Sequence, residues 1–311
     1  MSAPGPIVVV NRNAGTVSRR RALRAALAAH ASADTAAAPV AVRETATYDE
    51  GLAAARQAAR DGAPRVVAAG GDGTLQAVAA GLVAGQPDPA ARPRLGLVPV
   101  GRGNDLARAL GVPFEPRAAL ALALAGERTL PLDLGHLVAD GRALIFANAA
   151  GLGFDGDVAV RARRLPLHGL PAYALAALGS MVALPGPWEM AATIDGRPFR
   201  GAVILFTVAN GNTTGGGFVM AAAARPDDGQ LDYGRVGPSS RAAVLRYLWR
   251  ALHAELGREP RFEFGRFAKL TASFSPGIPI HADGEIVSPG ACDITVEVLP
   301  AALRAVVPGR E

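Results

Sequence analysis

The sequence predicts an α/β domain with a mostly parallel sheet over residues 1–130, followed by an antiparallel β-sandwich domain over 131–296. Three observations carry this expectation. Short apolar runs alternate with alanine-rich helical stretches four times between residues 7 and 111, the pattern of parallel strands with helical crossovers. Beyond residue 130 the pattern turns to paired strand-like runs around Asp140-Gly141 and Asp195-Gly196, dipeptides suited to tight hairpins. Three loops, 11–15, 70–74 and 100–105, each follow a strand of the first half and carry glycine, and open α/β sheets bind ligands at such strand ends.

The elements follow in order. IVVV (7–10) precedes SRRRALRAALAAHA (18–31), with Ser18 as the helix cap. VAVRE (40–44) precedes YDEGLAAARQAAR (48–60), RVVAA (65–69) precedes TLQAVAAGLVAG (74–85), and LGLVPV (95–100) precedes NDLARALG (104–111). The two hairpins of the second half span 129–151 and 188–210, with one helical stretch near 171–184 between them. Strand-like runs at 261–275, 278–288 and 292–300 complete the sandwich, and a tail from about 297 to 311 is expected to pack back on the first domain. The active site is expected in the cleft between the domains.

The composition narrows the partners. A net charge of +5 over 311 residues and an isoelectric point near 10.1 favour anionic ligands such as phosphates or acidic headgroups. Aromatic residues make up only 5% of the chain and do not interleave with basic ones, so nucleic acid is not expected. Cys292 is the single cysteine, which excludes an intramolecular disulfide and a cysteine metal cage. The five histidines, His30, His136, His168, His253 and His281, show no ligand spacing. The amino terminus lacks the basic region of a signal peptide, and the longest apolar run (172–184) is too short to span a bilayer, so a cytoplasmic protein is expected.

The stretch VVAAGGDGTLQ (66–76) places Gly70, Gly71, Asp72, Gly73 and Thr74 between a strand and a helix. Bare backbone there lets N–H groups approach an anion, and the helix amino terminus adds partial positive charge. A ligand-free turn is the plainer alternative. The P-loop pattern needs a lysine after its glycines, and Lys269, the only lysine, lies far from any such loop.

These residues resemble the diacylglycerol-kinase catalytic family, which includes soluble bacterial lipid kinases and the sphingosine and ceramide kinases. NAD kinases and phosphofructokinases share a related Gly-Gly-Asp-Gly loop. Further segments are similar to the family in order: NRNAG (11–15), VPVGRGNDLARALGVP (98–113), NAAGLGFDGDV (148–158), ANGNTTGGGFVMAAAARPDDGQLD (209–232) and HADGEIV (281–287). The resemblance implies a kinase that uses ATP and Mg²⁺ to phosphorylate a hydroxyl of a lipid such as diacylglycerol. It implies that Asn11, Arg12, Asn13, Ala14, Gly15, Thr45, Gly70, Gly71, Asp72, Gly73, Thr74, Leu75 and Gln76 bind the nucleotide, with Asp72 beside the phosphates and within reach of the metal. It makes Glu285 the general base, with Asp283 beside it, and places a further Mg²⁺ on the Asp228 side chain and the carbonyls of Arg225 and Gln230.

The chain departs from the family at Arg12, Gln76, Ala77 and Arg102. Arg102 replaces a threonine and could clamp a phosphate or point to solvent. An NAD kinase-like enzyme and a silent nucleotide- or lipid-binding relative stay open as alternatives. The apolar stretch 165–188 beside RARR (161–164) suits peripheral contact with an anionic surface at the inner face of the membrane, or a core helix. A homodimer is also left open.

Overall fold

The computed structural model describes residues 4–32, 39–167, 170–183 and 186–309; His168 lies outside them. The chain divides into two compact units, Met1–Leu132 with Ala301–Glu311, and Asp133–Pro300.

The first unit runs β1 (Ile7–Asn11), α1 (Val17–Ser32), β2 (Ala41–Thr45), α2 (Tyr48–Arg60), β3 (Arg65–Gly70), α3 (Asp72–Gly85), β4 (Arg94–Pro99), α4 (Asp105–Ala109) and α5 (Pro116–Ala125). β1 pairs in parallel with β2 and β3, and β3 with β4. The end of β16 (Glu285–Val306) adds a further parallel strand, with Ala305 opposite Leu95. β3 is buried at every residue, as a strand covered on both faces must be. Arg65, at its start, is buried because its guanidinium donates to the carbonyls of Ala123 and Gly126 at the end of α5. Thr16, which accepts from the Arg19 N–H, caps α1 in place of Ser18. α5 was not among the expected elements.

The second unit is antiparallel, as expected. After β5 (Thr129–Ala139) come β6 (Arg142–Phe146), β7 (Ala149–Gly153), α6 (Phe154–Arg164), α7 (Leu170–Ala183), β8 (Trp188–Ile194), β9 (Arg197–Val203) and β10 (Leu205–Ala209). A two-strand ladder of β11 (Thr213–Thr214) and β12 (Phe218–Val219) follows, then β13 (Leu231–Val236), α8 (Arg241–Leu252), β14 (Phe262–Phe267), β15 (Lys269–Ala282) and β16. Strand order is β14-β13-β10-β7-β15-β16, with β8 attached to β15, β9 to β8 and β6 to β5. Phe146, Phe206 and Phe267 are fully buried in the sandwich core, each contributing about 2–3 kcal/mol by leaving water. A second core packs α6, α7 and α8 on Ile204, Val236 and Phe262.

The sequence pattern led to one helix in this half, and the structure has three among the described residues. α6 begins without a break after β7, where Gly153 at φ +80° turns the chain, and its own Gly156 hides the helical signal. That glycine is required by packing: a Cβ there would lie 2.1 Å from the Pro279 carbonyl oxygen.

Candidate functional site

In the first unit the carboxyl ends of β1, β3 and β4 fall side by side, so the loops that follow them meet. Asn11 Nδ2 donates to Thr74 Oγ1 (3.1 Å), and Asn11 Oδ1 accepts the Asn13 N–H (2.9 Å). The Arg12 N–H donates to the Thr45 carbonyl (2.9 Å), Thr45 Oγ1 to the Val10 carbonyl and Asn13 Nδ2 to that of Ala46. The Arg20 guanidinium holds the carbonyls of Ala14 and Gly15, and that of Arg19 holds Gly101. The glycines serve this packing directly. A Cβ on Gly15 would stand 1.7 Å from the Val100 carbonyl oxygen, one on Gly70 2.2 Å from Thr74 Oγ1, and one on Gly101 2.3 Å from Gly71 Cα. The bare backbone expected to admit an anion first admits the neighbouring loop. Gly71, the N-cap of α3, brings no capping side chain, so the helix presents its positive end at this cluster, with Gly73 in its first turn.

Asp72 is part-buried in the same cluster, and both its oxygens are committed. Oδ2 accepts the Asn104 N–H (2.7 Å) and Oδ1 that of Asp105 (2.8 Å). Burial, then the nearby Asp105 charge, pushes its pKa up to about 6 against the pull of those N–H groups. It clasps the start of α4, where Asn104 sits left-handed at φ 56°, a conformation asparagine tolerates. The expectation of a carboxylate within reach of a metal is therefore not what its contacts serve. Leu75, Gln76 and Ala77 are buried on α3, Ala77 facing Gly51 of α2, whereas Arg12 and Arg102 are exposed.

In the second unit, Asp283 (φ 48°) and Gly284 (φ 83°) form a hairpin turn with both residues left-handed, as do Asp140-Gly141 and Asp195-Gly196. In each, the aspartate carboxylate accepts backbone N–H groups from a neighbouring segment. Asp195 takes those of Ala268 and Lys269, Asp140 that of Cys292, and Asp283 those of Ala147 (2.6 Å), Asn148 (3.0 Å) and Ala149 (2.9 Å). Asp283 is thus a clasp that fixes the turn. Glu285, directly after it, is part-exposed and accepts from Arg163 Nη2 at 2.5 Å. Beneath the turn His281 is buried, with Nε2 3.2 Å from Asp155 Oδ2, in space that a side chain on Gly151 would fill. Burial pulls the imidazole pKa down, but Asp155 and Asp283 outweigh it and hold it above the ordinary value.

Arg225, Asp228 and Gln230 do lie together, on the loop leading into β13. Asp228 Oδ1 accepts the Gln230 N–H (3.2 Å), and Oδ2 accepts the Arg266 guanidinium. Arg225 is turned to Asp227. Among the described residues no group of three or more His, Cys, Asp or Glu could hold a metal ion. With both Asp228 oxygens engaged, this loop does not fit a resident magnesium. Sequence reasoning also missed Arg19, Arg20, Arg163 and the Asp155–His281 pair. Asp155 lies within the stretch 148–158, but single arginines on helices carry no spacing signal.

The sequence matches the diacylglycerol kinase catalytic domain over residues 6–137 and the YegS C-terminal NAD kinase beta sandwich-like domain over residues 148–307. A Pseudomonas aeruginosa (strain ATCC 15692) protein named "Probable lipid kinase YegS-like" is 32% identical, the match covering 92% of this chain and 89% of the relative. A Bacillus subtilis (strain 168) protein named "Diacylglycerol kinase" is 30% identical over 75% of this chain and 74% of the relative. A crystal structure described as a diacylglycerol kinase from Bacillus anthracis str. Sterne superimposes with a TM-score of 0.75 over 98% of this chain and 97% of that one. At 23% identity that likeness shows the fold alone.

Proposed function

The chain belongs to the diacylglycerol kinase catalytic family, with a YegS-type C-terminal domain, and from that premise we propose that it transfers the terminal phosphoryl group of ATP to a hydroxyl of a lipid alcohol such as diacylglycerol. The observation that carries the donor half is the knot of glycine loops at the ends of β1, β3 and β4. Backbone packed that closely is rigid, and rigid N–H groups beside a helix amino terminus suit phosphate oxygens. Asn11–Gly15, Thr45 and Gly70–Gln76 are the proposed donor contacts, with exposed Arg102 free to reach a phosphate. The metal arrives as part of the MgATP substrate.

Glu285 is the proposed base. The acceptor oxygen forms a bond to the γ-phosphorus, the bond to the β–γ bridging oxygen breaks, ADP leaves, and the hydroxyl proton passes to the Glu285 carboxylate. Asp283 acts by holding the turn, and Arg163 by aiming the carboxylate. The acceptor resides in a bilayer, so the protein works as a peripheral visitor to an anionic, inner-face surface. No described helix is long and apolar enough to cross a membrane.

The test offers γ-labelled ATP and Mg²⁺ with micelles of diacylglycerol, ceramide, sphingosine or monoacylglycerol. Label is expected in one lipid. Glu285→Gln should lose about 10²–10⁴-fold in turnover with an unchanged melting temperature. Asp283→Asn, which keeps one acceptor oxygen but sets an NH2 group against the remaining backbone N–H, should lose activity and about 1–3 kcal/mol of stability together. ATP binding without labelled lipid would sink the lipid-acceptor reading, and NADP formed from NAD would replace it with an NAD kinase.

A further inference from the structure

We propose that Arg266 is a built-in cation for the loop 225–230, so that the second unit folds and keeps this loop in place without a resident divalent metal. The loop is rich in negative charge. Asp227 and Asp228 lie on it, Asp232 follows on β13, and Asp133 closes on it from β5. Asp133 and the loop are bound to each other by backbone: the Asp133 N–H donates to the Pro226 carbonyl (2.7 Å), and Asp133 Oδ2 accepts the Gly229 N–H (2.6 Å). The carboxylates that remain need positive partners, because clustered, part-buried anions repel at short range.

Two arginines supply them. Arg225 forks onto both oxygens of Asp227 (3.2 and 3.3 Å). Arg266 stands on β14 directly opposite Asp232, and it spans two anions at once: Nη2 donates to Asp228 Oδ2, and Nε lies 3.7 Å from Asp232 Oδ2. Cross-strand pairing fixes the guanidinium at that place, since Arg266 and Asp232 share a register position. A magnesium ion needs an octahedral set of oxygens at about 2.0–2.1 Å. Asp228 has one oxygen on the Gln230 N–H and the other on a guanidinium, so a metal there would have to evict Arg266 and face its charge. The planar fork does the bridging that a metal with waters would otherwise do.

The Arg266 bridge acts on folding whatever the acceptor, so stability without nucleotide reads it. Melting temperature of the full chain is measured in EDTA and in 5–10 mM Mg²⁺, for wild type, Arg266→Gln and Arg266→Lys. Wild type should melt within about 1 °C in the two buffers. Arg266→Gln should melt about 3–6 °C lower in EDTA and regain part of that loss in Mg²⁺, while Arg266→Lys should sit between. Manganese binding followed by electron paramagnetic resonance should show one site in Arg266→Gln that wild type lacks. A wild type that loses several degrees in EDTA would overturn the proposal. So would an Arg266→Gln protein indifferent to metal in both measurements, since no cation position would then have been reopened.

Discussion

Gly15 shows how a residue can be legible in kind and hidden in purpose. The sequence marked glycine loops at strand ends, and the loops are there. That their first occupant is one another was not legible, because it depends on which strands are neighbours, a fact of topology. The two demands on such glycines can be separated. Gly15 has φ +65° and a Cβ position 1.7 Å from a carbonyl oxygen, whereas Gly62, after α2, has φ +74° and open space around it. Gly62→Ala should cost only the left-handed strain, about 1–2 kcal/mol. Gly15→Ala should cost that plus overpacking of about 1–3 kcal/mol, with loss of ATP binding by calorimetry. Equal costs in urea denaturation would mean that the loops yield easily and are no rigid cradle. The Asp-Gly pairs teach the same lesson. Their turn geometry was readable at 140 and 195, but the aspartate's clasp on a neighbouring strand was not, since its partners lie far off in sequence.

At the scale of elements, α7 divides its residues between the core and the surface. Ala172, Ala176 and Ser180 are buried against the core, while Leu175, Leu178 and Val182 are about half exposed or more. α8 repeats the arrangement, burying Ala243, Val244, Tyr247 and Ala251 and exposing Leu245, Trp249 and Leu252. Apolar residues on both faces blur the 3.6-residue period, which explains why α8 was overlooked although Ser240 caps it. The helices touch, with the Arg241 guanidinium on the Val182 carbonyl. Neither carries an acidic residue, and α8 carries three arginines, Arg241, Arg246 and Arg250. Arg246 and Arg250 share the single Glu259, so the face stays net positive and a second copy docked on it would meet like charge, whereas an anionic bilayer satisfies both the charge and the apolar stripes. Leu245→Ser with Trp249→Ser should weaken flotation with vesicles containing about a third phosphatidylglycerol by tenfold or more, as expected for about 1.5–3 kcal/mol per buried side chain. The melting temperature should hardly move. Unchanged flotation, or a dimer in sedimentation that the double variant dissolves, would remove the bilayer from this face.

For the whole molecule, charge balance sets how stability follows pH. Asp72 and Asp232 are both pushed up to about 6, chiefly by burial, so the folded state holds their protons more tightly than the unfolded chain does. Their contribution is therefore present below the unfolded value near 3.8 and is lost as pH rises through about 6. His281 acts in the same direction at higher pH. Its raised pKa gives stability that is complete below the unfolded value of 6.5 and is lost as pH rises through the folded one. Glu259, held down by Arg246 and Arg250, leans the other way and weakens the fold only on acidification. Above about pH 7 the aspartates are spent and Glu259 stays charged, which leaves His281 to govern the slope. The groups facing its ring are Asp155 from α6 and Asp283 from the turn, both acidic, and Gly151 of β7 adds no charge. Melting temperature should consequently fall from pH 6 to 9. His281→Asn should be the less stable protein at pH 6, because it leaves Asp155 without its cation, and the gap to wild type should narrow as the imidazole loses its proton. A gap that holds constant over this range would show a neutral ring throughout, and the buried pair would then be an ordinary hydrogen bond. Either way the measurement bears on Glu285, since the ring lies under the turn that carries it.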